Sequence, residues 1–418
     1  MAGPFTIESV KANKVFNSRG SLTVEVEVYT KNSFGRAIAP GGASTGSHEA
    51  RPYPGGGVEG AVKNLKEVVI PKLIGLDVEK QEEIDQLLHD IDGTDCYVRI
   101  GGNAVMAISL AIAKAAASSK NIPFFRYLSG ETPVALPYPL GNVLGGGKHA
   151  GGGAPDIQEF LILPFNVSSF SEAVSVNIAV HERLRILLQK NDTTFTGGKG
   201  DEGAWAPNLA NDEALSIVTE AVESVKKELG VEIGVGLDMA ASTLWDEEQG
   251  SYVYRRDGVK RDSGDQIDYV LNLIRKFRLI YVEDPLQEED FDGFTEITKK
   301  VNSCFICGDD LFTTNSTRLR KGIALKSGNA IIIKPNQIGT ITETLKTIKL
   351  ANRTQYVPVA SHRSGETCDT YLAHLAVGLD CPIIKVGIVG GERIAKINEL
   401  LRIERILGEG VELAKLKV

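Results

Sequence analysis

Residues 21–30 (SLTVEVEVYT) set Val24, Val26 and Val28 against Glu25 and Glu27, the two-residue alternation of a strand with one buried face. With residues 5–15 before it and 34–39 after it, the pattern predicts a short antiparallel meander. Helical spacing follows over residues 58–73, 78–91 and 102–118; the Ala-rich last stretch reads as a packing helix and 59–66 as a solvated face. The segment SGETPVALPYP, with Pro133, Pro137 and Pro139, marks the expected boundary between residues 1–132 and 133–418.

Beyond it the rhythm changes. Short apolar runs recur, each ending in a polar or charged residue: GVGLD (234–238), LIYVED (279–284), CFICGDD (304–310), AIIIKPN (330–336), VPVASHR (357–363) and PIIK (382–385). Helical patterns lie between them. In residues 212–229, Leu215, Val218, Val222, Val225 and Leu229 form one predicted apolar stripe. From Asp238 through Glu283, Asp309, Lys334 and His362 to Lys385 the steps are 45, 26, 25, 28 and 23 residues, about one strand–helix unit each. Residues 136–144 and 157–164 bring the strands to eight, which predicts an α/β fold with a closed β/α barrel. Polar residues at the carboxyl ends of such strands converge on one mouth.

Composition narrows the class. Forty-six Lys+Arg against 54 Asp+Glu give a net charge of −8, and no long basic run is present, which argues against nucleic acid and against an anionic membrane surface as partners. The Ala-rich stretch carries Lys114 and is too short and too polar for a membrane span. The opening residues lack the apolar core of a signal peptide, and five cysteines are few and odd in number; both point to a reducing cytoplasm. Cys304 and Cys307 form a CxxC, but three positions apart on a strand they face opposite sides, so neither zinc nor a redox dithiol is expected. The 44 glycines imply many special turns.

Asp238, Glu283 and Asp309 each end a different run. Three carboxylates at one barrel mouth repel one another, and a hard divalent cation such as Mg²⁺ relieves that. Taken singly, each also fits a helix cap or an Arg partner. Lys334 follows Ile331–Ile333 in apolar surroundings, where burial and a dication push its pKa down toward a general base; a structural ion pair with the carboxylates is the alternative. His362, Arg363, Ser364 and Lys385 offer cations and a hydroxyl for an oxyanion. Three Gly-rich loops, 41–49, 145–159 and 196–205, hold acids, hydroxyls or imidazoles between glycines as mobile lids do, and Glu202 in the third is a candidate acid or base.

In combination and order, GGASTGSHEA, KHAGGGAPDIQEF, GKGDEGAWAPN, GLDMA, YVEDP, GDDLF, IIIKPNQIGT, SHRSGETCD and GERIAKINELLRIE resemble the enolase family, in its archaeal form. The resemblance implies an N-terminal α+β cap domain over a modified eight-stranded β/α (TIM-like) barrel whose first turns break the simple order. It implies reversible, Mg²⁺-dependent dehydration of 2-phospho-D-glycerate to phosphoenolpyruvate, with two Mg²⁺ per site, in a cytoplasmic homodimer or larger homo-oligomer. Carried over residue by residue, Asp238, Glu283 and Asp309 hold the first Mg²⁺, and Ser44 the second together with substrate phosphate. Lys334 is the base and Glu202 the acid, supported by Glu159, with the Glu202 pKa raised by Glu159 and Asp201. His149, Gln158, His362, Arg363, Ser364 and Lys385 contact substrate.

Departures from the family pattern include Asn17 for Asp, Ser21-Leu22 for Asn-Pro, Gly41 for Ser, a shortened segment after Ala50, and Gly390-Gly391 for Arg-Ser. All are expected in the cap and on contact surfaces. The other readings are an acid-sugar dehydratase, a Schiff-base aldolase using Lys334, and a binding protein on a silent barrel. The phosphate-directed set opposes the first, and Lys334 and Glu202 together oppose the last.

Overall fold

The computed structural model describes residues 3–42, 45–132 and 134–416. The alternating N-terminal pattern forms β1 (Ile7–Phe16), β2 (Leu22–Thr30) and β3 (Phe34–Ile38), antiparallel in that order. Val24, Val26 and Val28 are fully buried while Glu25 and Glu27 remain partly exposed. The helix Gly102–Ser119 packs on this sheet. At Gly35 a Cβ would stand 2.0 Å from the Ala111 carbonyl oxygen, so glycine on the sheet and alanine on the helix let the two backbones touch. The helix expected over 58–73 is interrupted. It runs Gly57–Asn64, widens into a π turn at Leu65–Val69 and resumes at Ile70–Leu73, where Pro71 has no amide hydrogen to give.

Eight strands then close into a barrel. They are β4 (Tyr138–Gly145), β5 (Glu159–Phe165) and β6 (Glu232–Asp238). A small external sheet follows, β7 (Trp245–Asp246), β8 (Ser251–Tyr254) and β9 (Val259–Arg261). The barrel resumes with β10 (Tyr281–Glu283), β11 (Phe305–Gly308), β12 (Ala330–Ile333), β13 (Val357–Ser361) and β14 (Ile383–Lys385). The external sheet and the helix Ser263–Phe277 fill the long step between Asp238 and Glu283.

The barrel order is β4-β5-β6-β10-β11-β12-β13-β14, closed back onto β4. All pairs are parallel except those of β5, which runs antiparallel to both β4 and β6. Two helices, Phe170–Asn191 and Asn211–Leu229, then follow one another before β6. Reversal of β5 puts its first residue, Glu159, at the rim where the other strands end.

The barrel interior is filled by Leu140, Leu161, Leu163, Tyr281, Phe305, Cys307, Ala330, Ile332, Val359 and Ile383, separate from the larger core outside. Cys307 belongs to the interior and Cys304 to the outer core, the opposite faces that strand geometry requires. In the predicted stripe, Leu215, Val218, Val222 and Val225 are buried, but Leu229 is 47% exposed, because the helix ends there on left-handed Gly230. Among the described residues, no helix is long and apolar enough to cross a membrane.

Candidate active site

Side chains alternate along a strand, so each residue two positions past an inward-facing core residue also faces inward. Tyr281 leads to Glu283, Cys307 to Asp309, Ile332 to Lys334 and Ile383 to Lys385; on reversed β5, Leu161 leads back to Glu159. These polar side chains therefore form the top layer over the barrel filling. Glu159 and Asp238 are direct neighbours across β5 and β6, as are Asp238 and Glu283 across β6 and β10. Lys385 reaches into this acidic row, with Nζ 2.9 Å from Asp238 Oδ2, 2.9 Å from both Glu283 oxygens and 3.3 Å from Glu159 Oε1. From the layer below, the Tyr281 hydroxyl donates to Glu283 Oε2 at 2.7 Å. Burial and then Asp238 push the Glu283 carboxyl up to about 8, and Lys385 only partly offsets them. The Lys385 ammonium, although buried, is held well above its ordinary value by Asp238, Glu159 and Glu283.

A second group lies across the mouth. Lys334 Nζ contacts Asp309 Oδ2, and Gln337 Nε2 donates to Asp309 Oδ1 at 2.8 Å and to Glu49 Oε1 at 3.2 Å. Arg363 Nη1 donates to Glu49 Oε2 at 3.0 Å and to Asn336 Oδ1 at 3.1 Å. Glu49 thus ties the N-terminal part of the chain to the barrel. The expectation that burial lowers the Lys334 pKa is corrected here. Burial does act downward, but Asp309 outweighs it and holds the ammonium above its ordinary value. Both readings of Lys334 thereby share one atom: the amine that faces the pocket is also half of an ion pair.

The third group comes from the loop between the two consecutive helices. Glu202 is 3% exposed; its Oε2 accepts from Asn142 Nδ2 at 3.1 Å and faces His362 Nε2 at 3.2 Å. His149 Nδ1 lies 3.5 Å from Glu159 Oε1 and 3.8 Å from Glu202 Oε1. Gln158 Nε2 reaches Asp238 Oδ2 at 3.4 Å. Burial and the facing Glu202 drive Glu159 well above the carboxylate range. Burial also acts upward on Glu202, but His362, His149 and Arg393 overcome it and hold this carboxyl well below its ordinary value. The raised Glu202 pKa expected from sequence is therefore reversed: of the two facing carboxyls, Glu159 is pushed up and Glu202 is held down.

Whereas Glu283 is fully buried and is not part of the lining, His149, Gln158, Glu159, Glu202, Asp238, Asp309, Lys334, His362, Arg363, Ser364 and Lys385 all line one cavity of about 30 Å³. That is room for a water molecule or an ion among closely spaced polar groups. Ser44 lies outside the described residues. Sequence reasoning missed Glu49, Asn142, Gln337 and Arg393. Gln337 and Arg393 sit within motifs already singled out, and Asn142 is three residues before the end of β4. Gly390 and Gly391, expected on a contact surface, are exposed. Arg393, two residues further on, is fully buried behind the site.

The donor set suits a hard cation. Glu159, Glu202, Asp238, Glu283 and Asp309 supply five buried or nearly buried carboxyls against two ammonium groups. Among the described residues, His149–Glu159–Glu202 and Asp284–Asp309–Asp310 gather their ligand atoms within 4.8 Å of one another. The expected trio of Asp238, Glu283 and Asp309 is less tightly drawn, since Lys385 stands against the first two and Lys334 against the third.

Comparison with known proteins decides the family. A family model described as the enolase C-terminal TIM barrel domain matches residues 133–418, and one described as the enolase N-terminal domain matches residues 7–128. The chain belongs to the enolase family, in its archaeal type. It is 53% identical to the enolase of Methanosphaera stadtmanae over 402 residues, 96% of this chain and 97% of that one. Similarity to the enolase of Methanothermobacter thermautotrophicus is also 53%, over 95% of this chain and 96% of the relative. The enolase of Pyrobaculum aerophilum shares 44% over 97% of this chain and 98% of its own. The chain is accordingly a phosphopyruvate hydratase, a carbon–oxygen lyase of glycolysis acting on a small-molecule substrate.

Proposed function

We propose that the buried pocket at the barrel mouth dehydrates 2-phospho-D-glycerate reversibly to phosphoenolpyruvate, with Lys334 removing the proton beside the carboxylate and Glu202 protonating the departing hydroxide. The observation that carries this reading is that both groups line the same pocket, one on the β12 rim and the other on the Gly-rich loop, each nearly shut off from water. Base and acid on separate elements can act on two different atoms of one bound molecule. Glu159, whose carboxyl burial and the facing Glu202 push upward, supports Glu202 as its proton reserve. Arg363 and Ser364 meet the phosphate, Lys385 the substrate carboxylate, and His149, Gln158 and His362 complete the wall.

The carbanionic intermediate places a second negative charge on a carboxylate, so the pocket must concentrate positive charge before reaction. In this reading two Mg²⁺ serve each site, the first on Asp238, Glu283 and Asp309, the second on Ser44 with substrate phosphate. Bound there, magnesium supplies Lewis-acid stabilisation of the doubly charged carboxylate. Asp309 is both a proposed ligand and the partner that keeps Lys334 protonated. Were Asp309 engaged by a cation, it would hold the lysine proton less firmly, and the Lys334 pKa would fall toward that of a base.

The proposed domains are residues 1–132, the cap, and 133–418, the barrel, with Glu49 joining them at the site. A cytoplasmic homodimer or larger homo-oligomer belongs to the same reading. The test is ultraviolet-monitored formation of phosphoenolpyruvate from 2-phosphoglycerate. Turnover that requires Mg²⁺ and stops with a chelator is expected; full turnover in chelator overturns the assignment of the carboxylates.

A further inference from the structure

Arg393 lies on the helix Gly391–Leu407, behind the pocket wall, and its side chain is fully buried. Each of its four terminal N–H bonds has an acceptor. Nη1 is 2.8 Å from His362 Nδ1 and donates to the Arg363 carbonyl at 2.5 Å; Nη2 donates to the Asp201 and Ser364 carbonyls at 3.1 and 2.8 Å. The guanidinium thus joins the Glu202 loop to the segment after β13.

A guanidinium can only donate. His362 Nδ1 faces this donor and also the Gly387 amide at 3.3 Å, so it must be the unprotonated nitrogen. The ring proton is then on Nε2, which faces Glu202 Oε2. That oxygen accepts from Asn142 and has the protonated ring nitrogen 3.2 Å away, so a proton of its own there would be set against two N–H groups. Among the described residues Oε1 accepts no hydrogen bond, and it looks toward His149 and the cavity. We infer that Arg393 is a positioning residue that fixes His362 as the Nε2-protonated neutral ring and so confines the acid proton of Glu202 to Oε1, the oxygen facing substrate. This rests on the proposed role of Glu202 as the acid. Burial holds His362 down to about 4, against Glu202 and Glu366 and aided by Arg393, in keeping with a neutral ring.

The test uses the full chain with ring-¹⁵N histidine; six histidines keep the spectrum tractable, and His362→Asn identifies the signal. At neutral pH the wild-type ring is expected to carry its proton on Nε2 alone. Arg393→Met, which keeps bulk but no donors, is expected to give a mixture of tautomers and about 100-fold lower kcat for dehydration, the scale of a misdirected general acid. KM and α-proton exchange are expected to stay within about threefold, since Lys334 is untouched. Arg393→Lys, with one ammonium, is expected to keep the Nε2 proton and recover about tenfold of the lost rate. A wild-type ring protonated on Nδ1 overturns the inference, and needs no variant. So does Arg393→Met with an unchanged tautomer, whatever its kcat, or with exchange lost in step with dehydration. If Arg393→Met does not fold, the wild-type tautomer and Arg393→Lys decide. A wild type that makes no phosphoenolpyruvate defeats the functional reading and leaves the tautomer result standing.

Discussion

Gly203 follows the proposed acid and has φ +78, the left-handed region that a side chain disfavours by about 1–2 kcal/mol. A Cβ there would stand 2.3 Å from the Val389 carbonyl oxygen, whereas ordinary contact begins at 3.4 Å. The gap to be made is 3.4 − 2.3 = 1.1 Å. Val389 is held between β14 and the helix Gly391–Leu407, so the Glu202 loop is the partner that yields. Displacing a catalytic group by about 1 Å costs roughly 100-fold in rate. Gly203→Ala is therefore expected to lower kcat for dehydration about 100-fold while KM changes little. Exchange of the substrate's α-proton should persist, because Lys334 stands on β12, away from this loop. A denaturant midpoint should show about 1–2 kcal/mol lost. Gly387→Ala approaches from the other side, since its Cβ would meet the Glu202 carbonyl oxygen at 2.3 Å, and should give the same split between dehydration and exchange. A folded Gly203→Ala enzyme within threefold of wild-type kcat, or one whose exchange falls as far as dehydration, would refute the seating of Glu202 on residues 387–389.

Two further outcomes follow from buried charge. Lys385→Met leaves Asp238, Glu283 and Glu159 without their shared cation, and breaking such a buried group costs about 3–5 kcal/mol. Since Glu283 already titrates at about 8, its protonation relieves the variant in acid, so the stability deficit should be smaller at pH 6 than at pH 8.5; a deficit independent of pH contradicts this. His181 stacks on Trp205 with ring centroids 4.5 Å apart, and its Nε2 lies 3.1 Å from the Gly203 carbonyl. Burial pushes its pKa from 6.5 down to about 4. The unfolded chain then binds a proton that the native state refuses, so its contribution is complete above pH 6.5 and falls away as pH drops toward 4. At about 1.4 kcal/mol per pH unit that is roughly 3 kcal/mol. Urea midpoints of His181→Asn should decline less over this range than those of wild type; parallel curves contradict it.

The barrel was legible because a strand's two-residue period extends past its last core residue. Asp309 and Lys334 are polar residues continuing an inward row that begins with Phe305 and Ala330, and that row can be read from letters alone. The reversal of β5 was also encoded, although only the family resemblance implied that the first turns break the simple order. Parallel neighbours need a helical crossover, and the glycine-rich stretch between β4 and β5 has no helical period, so the chain must turn straight back. The protonation of Lys334 and Glu202 was not legible, since each depends on which charge stands within a few ångströms. Lys334 meets Asp309 rather than bare apolar walls, and Glu202 meets His362 and His149. Arg393 escaped because a GER triplet opening a helix looks solvated, whereas its guanidinium is buried against the backbone carbonyls of Asp201, Arg363 and Ser364.

The division of labour between Lys334 and Glu202 is tested most directly by deuterium exchange at the α-carbon of 2-phosphoglycerate, followed beside phosphoenolpyruvate formation. Lys334→Ala should lose both, and Glu202→Gln should lose dehydration while exchange remains measurable. Exchange retained without the lysine, or abolished together with dehydration in Glu202→Gln, would contradict the assignment of base and acid.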